Sequence, residues 1–468
     1  MNARYVFQPT SVQQLRDHYD LIIVGSGAAG LTSALQAAEL GLQPVILEKM
    51  PRLGGNSSRA SSGMNAAETL VQLQHHIVDS YQDFYQDTWR GGGQQSDPGL
   101  LHYFTEHAAA ALTWLSAHDI NLTDLTWTGA MAVQRTHRPA SQAPIGSFLI
   151  TELLKQIEQA QIPVFTKSVV QKLLMSQQCV TGVRVQIDGT THQLHSKAVI
   201  LATGGFGAST DLLQKYRPDL VTLATTNQPG TTGDGLQLAQ QIGAQLVDMQ
   251  QVQVHPTVNQ EGSHPYLIGE AVRGEGAILV NAQGQRFVNE LATRKQVTAA
   301  INQLPGKTAT LIFDQQVRQR VPAINFYEQI GLVQTGNSWE ELAQHYAWPV
   351  PTFLQTIATW NQAVTKKQDR QWQRTTGLSV PLTQNPFYAI KVAPAVHYTM
   401  GGLAITPQTQ VLNQQQQVIP GLFAAGEVTG GLHGNNRLGG NSIAETVVFG
   451  RQAAQQVFKY CQHWAKPK

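Results

Sequence analysis

Cysteine is nearly absent from this chain: 468 residues contain two, Cys179 and Cys461. Their spacing fits neither an iron–sulfur cluster nor a zinc site, and no Cys-x-x-Cys-His occurs to attach a haem. No apolar run reaches the roughly 18–20 residues of a membrane span. The stretch from Met1 to His18 is polar, carries both signs of charge and lacks the apolar core of a signal peptide. A cytoplasmic protein with two reduced thiols is therefore expected. An excess of either charge is missing too: 13% of residues are charged and the net charge is +2, which argues against a nucleic-acid partner. Internal repeats are also absent.

Glycine, by contrast, is plentiful and patterned. Asp20-Leu-Ile-Ile-Val-Gly25-Ser-Gly27-Ala28-Ala29-Gly30 joins a short apolar run to a helical one. Leu31 to Leu40 has helical spacing and ends at Gly41, a C-cap residue. Pro44 to Leu47 is the next strand, closed by Glu48. A G-x-G-x-x-G alone is weak evidence, but between a strand and a helix, with an acid after the second strand, it reads as a dinucleotide site. Gly25 permits the tight turn, Gly27 lets the backbone approach a pyrophosphate, and Gly30 lets helix and strand pack closely. The helix N-terminus then faces the phosphates, and Glu48 is expected to accept from the adenosine ribose.

That fingerprint does not choose between nicotinamide and flavin. Later segments do. Gly54-Gly55-Asn56-Ser57 offers backbone donors just after Glu48. Ala202-Thr203-Gly204-Gly205 returns a buried strand to the nucleotide. Thr232-Gly233-Asp234-Gly235 and Gly426-Glu427 add two more glycine–acid turns. Glycine turns separated by hundreds of residues suit an extended FAD. Between them, Ser57 to Gln142 reads as mostly helical, Val180 to Leu194 as a hairpin, Trp339 to Val364 as amphipathic helices, and Asn413 to Gln417 as a solvated hairpin tip.

With these motifs on the page, together with His255-Pro-Thr, Glu270-Ala-Val-Arg273, Asn289-Glu-Leu-Ala-Thr-Arg294, His397-Tyr-Thr-Met-Gly-Gly402 and Asn436-Arg437-Leu-Gly-Gly-Asn441, the chain resembles the flavoprotein subunits of the fumarate reductase and succinate dehydrogenase family. It is similar above all to the soluble flavocytochrome c type without the haem domain. The resemblance covers about Asp20 to Gln455. It implies an α/β fold: a Rossmann-like FAD-binding domain of the glutathione-reductase type, from 1–248 and 377–468, with an inserted α+β capping domain at 249–376.

The resemblance also implies site roles. Lys49, Ser62, Gly63, Met64, Val170, Asn441, Ser442 and Ile443 join the segments above in contacting FAD. The Asn441 helix places its N-terminus near the flavin pyrimidine, where it stabilises negative charge. Membrane-bound members attach FAD through a histidine in the region of Ser57 to Ser61, which holds none here, so the flavin is expected to be non-covalent. His397 and Arg437 resemble a clamp for one carboxylate and His255 a contact to the other, with Gly269 and Gly440 beside them. Arg294 resembles the proton donor, resupplied through Glu270 and Arg273, which fall on one helix face at i, i+3. A guanidinium is a poor acid at its ordinary pKa, above about 12. Beside a strongly basic carbanion-like carbon it lowers the charge first and donates second.

One departure is visible. The family often carries a threonine before the relay glutamate and a methionine two positions earlier; here these are Gly269 and Leu267. A missing hydrogen bond to a charged group is worth about 1.5–3 kcal/mol. Fumarate reduction to succinate leads. Another 2-enoate, such as urocanate, a cinnamate or methacrylate, is the alternative. A ketosteroid dehydrogenase, an aspartate oxidase and a non-enzymatic flavin-binding partner stand further back. The electron donor (free reduced flavin, a reductase or a quinol) is left open, and a monomer is the default expectation.

Overall fold

The apolar run Leu21–Val24 becomes the inner part of the strand His18–Val24, buried on both faces. It pairs in parallel with Pro44–Leu47 on one side and with Thr190–Leu201 on the other. Val418–Ala424 adds to the far edge of Thr190–Leu201, also in parallel. Strand registers running side by side like this need crossovers, and the helix Ala28–Glu39 supplies the first. Both faces of such a sheet are covered, which is why its strands are continuous apolar runs rather than alternating ones. The computed structural model describes residues 5–262 and 264–463. The outermost residues assigned to the FAD-binding unit lie outside them.

The two ends of the chain meet on this sheet. The last helix, Asn441–Gln462, packs on Ala28–Glu39, so residues more than 400 positions apart share one layer. Gly450 marks the crossing: a Cβ there would stop 2.8 Å from the carbonyl of Ala29, and Ser33 Oγ donates to the Gly450 carbonyl at 2.9 Å. The expected hairpin is present as Cys179–Ile187 against Thr190–Leu201, and Gln414–Gln416 forms an exposed turn before Val418–Ala424.

Ser57 to Gln142 is less helical than expected. Helices span Leu70–Gln74, Tyr81–Gly91 and Pro98–Ala117, but Met64–Asn65, Asp124–Thr126 and Thr136–Arg138 form a small antiparallel sheet. Buried charge explains it. Arg135, 1% exposed and just before the strand Thr136–Arg138, is held between Asp79 and Asp87 at 2.7 and 2.5 Å, long-range pairs that the local sequence does not reveal.

A second apolar core runs from Ile268 to Val392. It surrounds the antiparallel strands Ile278–Val280, Ala309–Asp314 and the first half of Phe387–Thr399. Leu382 and Phe387 belong to it, so this core continues past residue 376. The second half of Phe387–Thr399 pairs with Val252–Asn259, and its Val396 packs in the first core. One long strand thus ties the two cores together and carries His397 to the seam.

Candidate active site

A cavity of about 570 Å³ opens along the carboxyl ends of the parallel strands and continues to the seam between the cores. Ligands bind at this end of open α/β sheets as a rule. Its walls at one end are Gly25, Gly27, Glu48, Lys49 and Asp234; at the other, Arg294, His397 and Arg437.

The glycine cradle fits a dinucleotide. Gly25 has φ +109°, and a Cβ there would lie 2.4 Å from the carbonyl of Ala202; a Cβ on Gly30 would lie 2.0 Å from the carbonyl of Gly25. These two serve packing. Gly27 and Gly204 have no such neighbour, the nearest atoms being Ser57 Oγ at 3.5 Å and Thr231 Cγ2 at 4.0 Å, and both line the cavity with bare backbone. Thr203 Oγ1 is buried without a partner beside them. Open backbone donors at a helix N-terminus and an unsatisfied hydroxyl are what a pyrophosphate and ribose require.

Other expected cofactor contacts divide. Gly55, Asn56, Ser57, Ser62, Val170, Ala202, Gly426, Glu427, Ser442 and Ile443 line the cavity with Ala29. Gly63, Met64, Gly205, Gly233 and Asn441 lie behind its wall. A Cβ on Gly63 would strike the His137 carbonyl at 2.3 Å, and one on Gly205 would strike Thr399 Oγ1 at 1.9 Å, so these two glycines serve packing. Glu48 is engaged by its own chain: Oε2 accepts from Ser26 N at 3.0 Å and Oγ at 2.6 Å, and Oε1 from Met50 N at 2.8 Å. A carboxylate accepts about four bonds, so capacity for a ribose remains. Lys49 donates to Thr232 at 2.6 Å and Asp234 at 2.7 Å, bracing the same end. Glu427 is raised to about 7, chiefly by burial, and accepts from Thr399 N at 3.0 Å.

At the seam the charged groups converge. Arg294 opens the helix Arg294–Asn302, whose capping box of Thr293 and Gln296 fixes where it starts. Its Nε donates to Glu270 Oε1 at 2.7 Å and Nη1 donates to Gln253 Oε1 at 2.8 Å. Burial raises the Glu270 pKa, but Arg294, Arg273 and Arg437 outweigh it and hold the carboxyl down at about 2. Arg273, in Glu270–Gly274, reaches the same oxygen only to 3.7 Å, too long for a hydrogen bond, and donates from Nη1 to the Glu290 carbonyl at 2.6 Å. Its Nε and Nη2 are buried and unpartnered. Burial pulls Arg273 and Arg437 down to about 10.

Arg437 is 2% exposed and has no acidic partner among the described residues. Its Nη1 donates to the Leu438 carbonyl, its Nε has no partner, and its guanidinium lies 4.4 Å over the ring of Tyr398. Tyr398 in turn donates to buried Glu445 at 2.6 Å. His397 Nδ1 meets Thr226 Oγ1 at 2.8 Å. His397 and His255 are both held well below the ordinary histidine range, first by burial and next by Arg294.

His255 and Gly269 were expected beside the substrate carboxylate, and both lie close to the cavity's lining residues. Neither lines the cavity. The His255 ring lies behind His397, centroids 5.2 Å apart. Its Nδ1 accepts from Thr257 N at 3.3 Å, which leaves the proton on Nε2, buried and unpartnered. Gly269 N donates to Tyr327 Oη at 3.1 Å. Gly440, at φ +84°, is a close-approach glycine whose Cβ would strike Asn65 Oδ1 at 2.2 Å.

Sequence reasoning missed Gln253, which ties Arg294 to the Arg437 carbonyl by donating to it at 2.7 Å. It sits two residues before His255, but the register shifts between Gln253 and Val254, so strand period gave no signal for it. Tyr398, Ser61 and Tyr327 were also missed.

These observations meet known proteins. The FAD binding domain family matches residues 20–443. The chain is 39% identical, over 95% of its length and 78% of the relative's, to a fumarate reductase (cytochrome) of Shewanella frigidimarina. It belongs to the fumarate reductase flavoprotein family. Within that family it is also 46% identical to an NADH:fumarate oxidoreductase of Klebsiella pneumoniae (strain 342) over 94% of its length, but it spans only 48% of that relative. The fold matches the open conformation of a flavocytochrome c3 fumarate reductase with TM-score 0.78 and 38% identity, covering 96% of this chain and 79% of that one. Members are FAD-binding oxidoreductases, and no described helix here is long and apolar enough to cross a membrane.

Proposed function

We propose that this protein reduces fumarate to succinate with a non-covalently held FAD. Arg437 carries the reading: a buried guanidinium without a carboxylate partner, on the wall of the cavity that also holds Arg294. An uncompensated buried cation is costly unless an anion completes it. Arg294, Arg273 and Arg437 all act on Glu270, with Glu290 acting on Arg273 and Glu427 on Arg437, and this crowding of guanidinium charge favours an anionic ligand. The relatives' printed activities support the same substrate.

When bound, FAD supplies hydride to one alkene carbon. The residues do the rest. Arg437 and His397 hold one carboxylate and turn the alkene toward the flavin edge. Arg294 stands beside the other alkene carbon and donates an N–H proton to it, forming the new C–H bond as charge develops. Glu270, ionised at about 2 and upward, keeps Arg294 oriented and passes on the next proton. Arg273 resupplies it, which requires a side-chain movement to close the 3.7 Å gap. Gln253 holds Arg294 and the Arg437 backbone in one frame. The unit at 249–376, with its core continuing to Val392, acts as the cap that excludes water. Electrons come from outside this chain, through free reduced flavin, a partner reductase or a quinol, and a monomer suffices because one chain provides every residue above.

The test is anaerobic. The flavoprotein is reduced with dithionite, and flavin reoxidation is followed on adding fumarate, urocanate, cinnamate or methacrylate. Rapid reoxidation by fumarate is expected; selective reoxidation by another of these would keep the chemistry and reassign the substrate. No response to any of them would overturn the proposal. Release of FAD into the supernatant after acid precipitation checks non-covalent binding.

A further inference from the structure

Resting on the dicarboxylate reading, we infer that the hydroxyls of Ser61 and Tyr327 bind the substrate carboxylate remote from Arg437. The sequence raises the question, because Gly269 offers no side chain there. The structure answers with two hydroxyls from different cores. A Cβ placed on Gly269 would have as its nearest atoms Ser61 Oγ and Tyr327 Oη, both at 3.6 Å. Both residues line the cavity that holds Arg294, His397 and Arg437, whereas Gly269 and His255 do not.

The donors are also unspent. Tyr327 Oη accepts from Gly269 N at 3.1 Å, and its own O–H proton has no acceptor among the described residues. Tyr327 is 4% exposed and lines the same cavity, so its hydroxyl proton reaches only what enters that cavity. Leaving a buried hydroxyl donor unpaired is costly, and an oxygen within the cavity, which a bound carboxylate supplies in place of water, is the remaining acceptor. Ser61 makes no side-chain hydrogen bond among the described residues and is only partly exposed, in the loop following Gly55–Arg59. The backbone N–H of Gly269 fixes the position of Tyr327 Oη, so this hydroxyl arrives oriented. Tyr327 comes from Ala323–Gln329 in the second core and Ser61 from the flavin side, so the pair forms where the cores face one another.

The consequence is discrimination between dicarboxylates and monocarboxylates. Hydroxyls that meet the second carboxylate stabilise fumarate and do nothing for crotonate, which has a methyl group in its place. The experiment titrates oxidised, FAD-loaded protein with each acid and reads the flavin absorbance change. Ser61→Ala and Tyr327→Phe together should raise the fumarate Kd at least about tenfold and shift the crotonate Kd less than about twofold. Ser61→Ala/Gly269→Ser should recover fumarate affinity, since a Cβ at 269 meets only ordinary contacts. Equal weakening of both ligands, no weakening of either, or no fumarate binding by the parent protein would overturn the assignment. If the double variant does not load FAD, Ser61→Ala alone decides between the same outcomes. Selective weakening of fumarate in a protein whose reduced flavin fumarate fails to reoxidise would retain the hydroxyl pair and reject the reductase reading.

Discussion

Arg294 Nε and Glu270 Oε1 meet at 2.7 Å, with both side chains less than a tenth exposed. The pair is buried, yet it does not close on itself. Glu270 Oε2 has no partner, while Arg294 extends to Gln253 and to the cavity wall. A pair built only for stability would satisfy its remaining polar atoms, because buried ions repay their desolvation only with full hydrogen bonding. Both oxygens of Glu290 in the second core are filled, by Arg286 at 2.8 Å and Arg374 at 3.1 Å, although Arg286 Nη1 is itself buried without a partner. The contrast lies in the acid: Glu290 is filled, while Glu270 keeps one oxygen free to take a proton or a donor N–H.

Replacing Arg294 by alanine should abolish turnover and spare the flavin. Positioned proton transfer contributes about 10²–10⁴-fold, so a loss at the upper end or beyond is expected, because the guanidinium also balances charge. Fumarate-driven reoxidation of the reduced variant measures it, with the flavin-to-protein absorbance ratio as the control. A flavin-loaded variant with near-normal kcat would remove Arg294 from the mechanism.

Glu270 makes the fold acid-sensitive. Its pKa falls from the ordinary 4.5 to about 2, so its contribution to stability is complete above about 4.5 and is lost as pH drops toward 2. A shift of this size corresponds to about 3 kcal/mol. Glu270→Gln should flatten that part of the pH–stability curve. It should also cost about 3–5 kcal/mol at neutral pH, since Arg294 and Arg273 are left buried without their carboxylate. Urea unfolding from pH 3 to 7 would show parent and variant curves converging at the acid end; parallel curves would contradict the assignment.

Local pattern made the nucleotide end legible. The strand, turn and helix from Asp20 to Glu39 need only short-range rules, and Gly25 and Gly30 stand where packing demands them. The surroundings of Gly269 and His255 were not legible in the same way. Which side chains reach a cavity wall depends on how two cores face each other, and a bulged register between His255 and Val258 turns that strand locally. Tyr327 lies 58 positions from the backbone N–H it accepts from, so no motif links them. The helical reading of Ser57 to Gln142 failed for a similar reason: Arg135 finds Asp79 and Asp87 only in the folded chain.

Gly25→Ala and Gly269→Ala should behave oppositely. At Gly25 the backbone has φ +109° and a Cβ would press on the Ala202 carbonyl at 2.4 Å, so the turn must open. Loss of FAD and a marked fall in Tm are expected. At Gly269 a Cβ meets nothing nearer than 3.6 Å, and removing glycine freedom stabilises by about 0.4–1 kcal/mol. Thermal melts and flavin content of the two purified variants decide this, and equal damage from both would refute the steric argument.

Dicarboxylate binding should be insensitive to histidine titration. Burial and Arg294 hold His255 and His397 well below 6.5, so both stay neutral in the folded protein while the unfolded chain takes up protons below that value. Their effect on stability is therefore full above about 6.5 and is lost as pH falls below it. Across about pH 6–8 no histidine step should appear in the fumarate Kd; Glu427, raised to about 7 beside Arg437, is the group that titrates there, and Glu427→Gln should leave the Kd level. Arg437→Lys keeps the charge but not the planar fork, and should weaken fumarate binding by about tenfold or more without introducing a pH dependence. Flavin-monitored titrations of parent and both variants across that range provide the check. An inflection that persists in Glu427→Gln would mean that an imidazolium, rather than Arg437, carries the charge that holds the carboxylate.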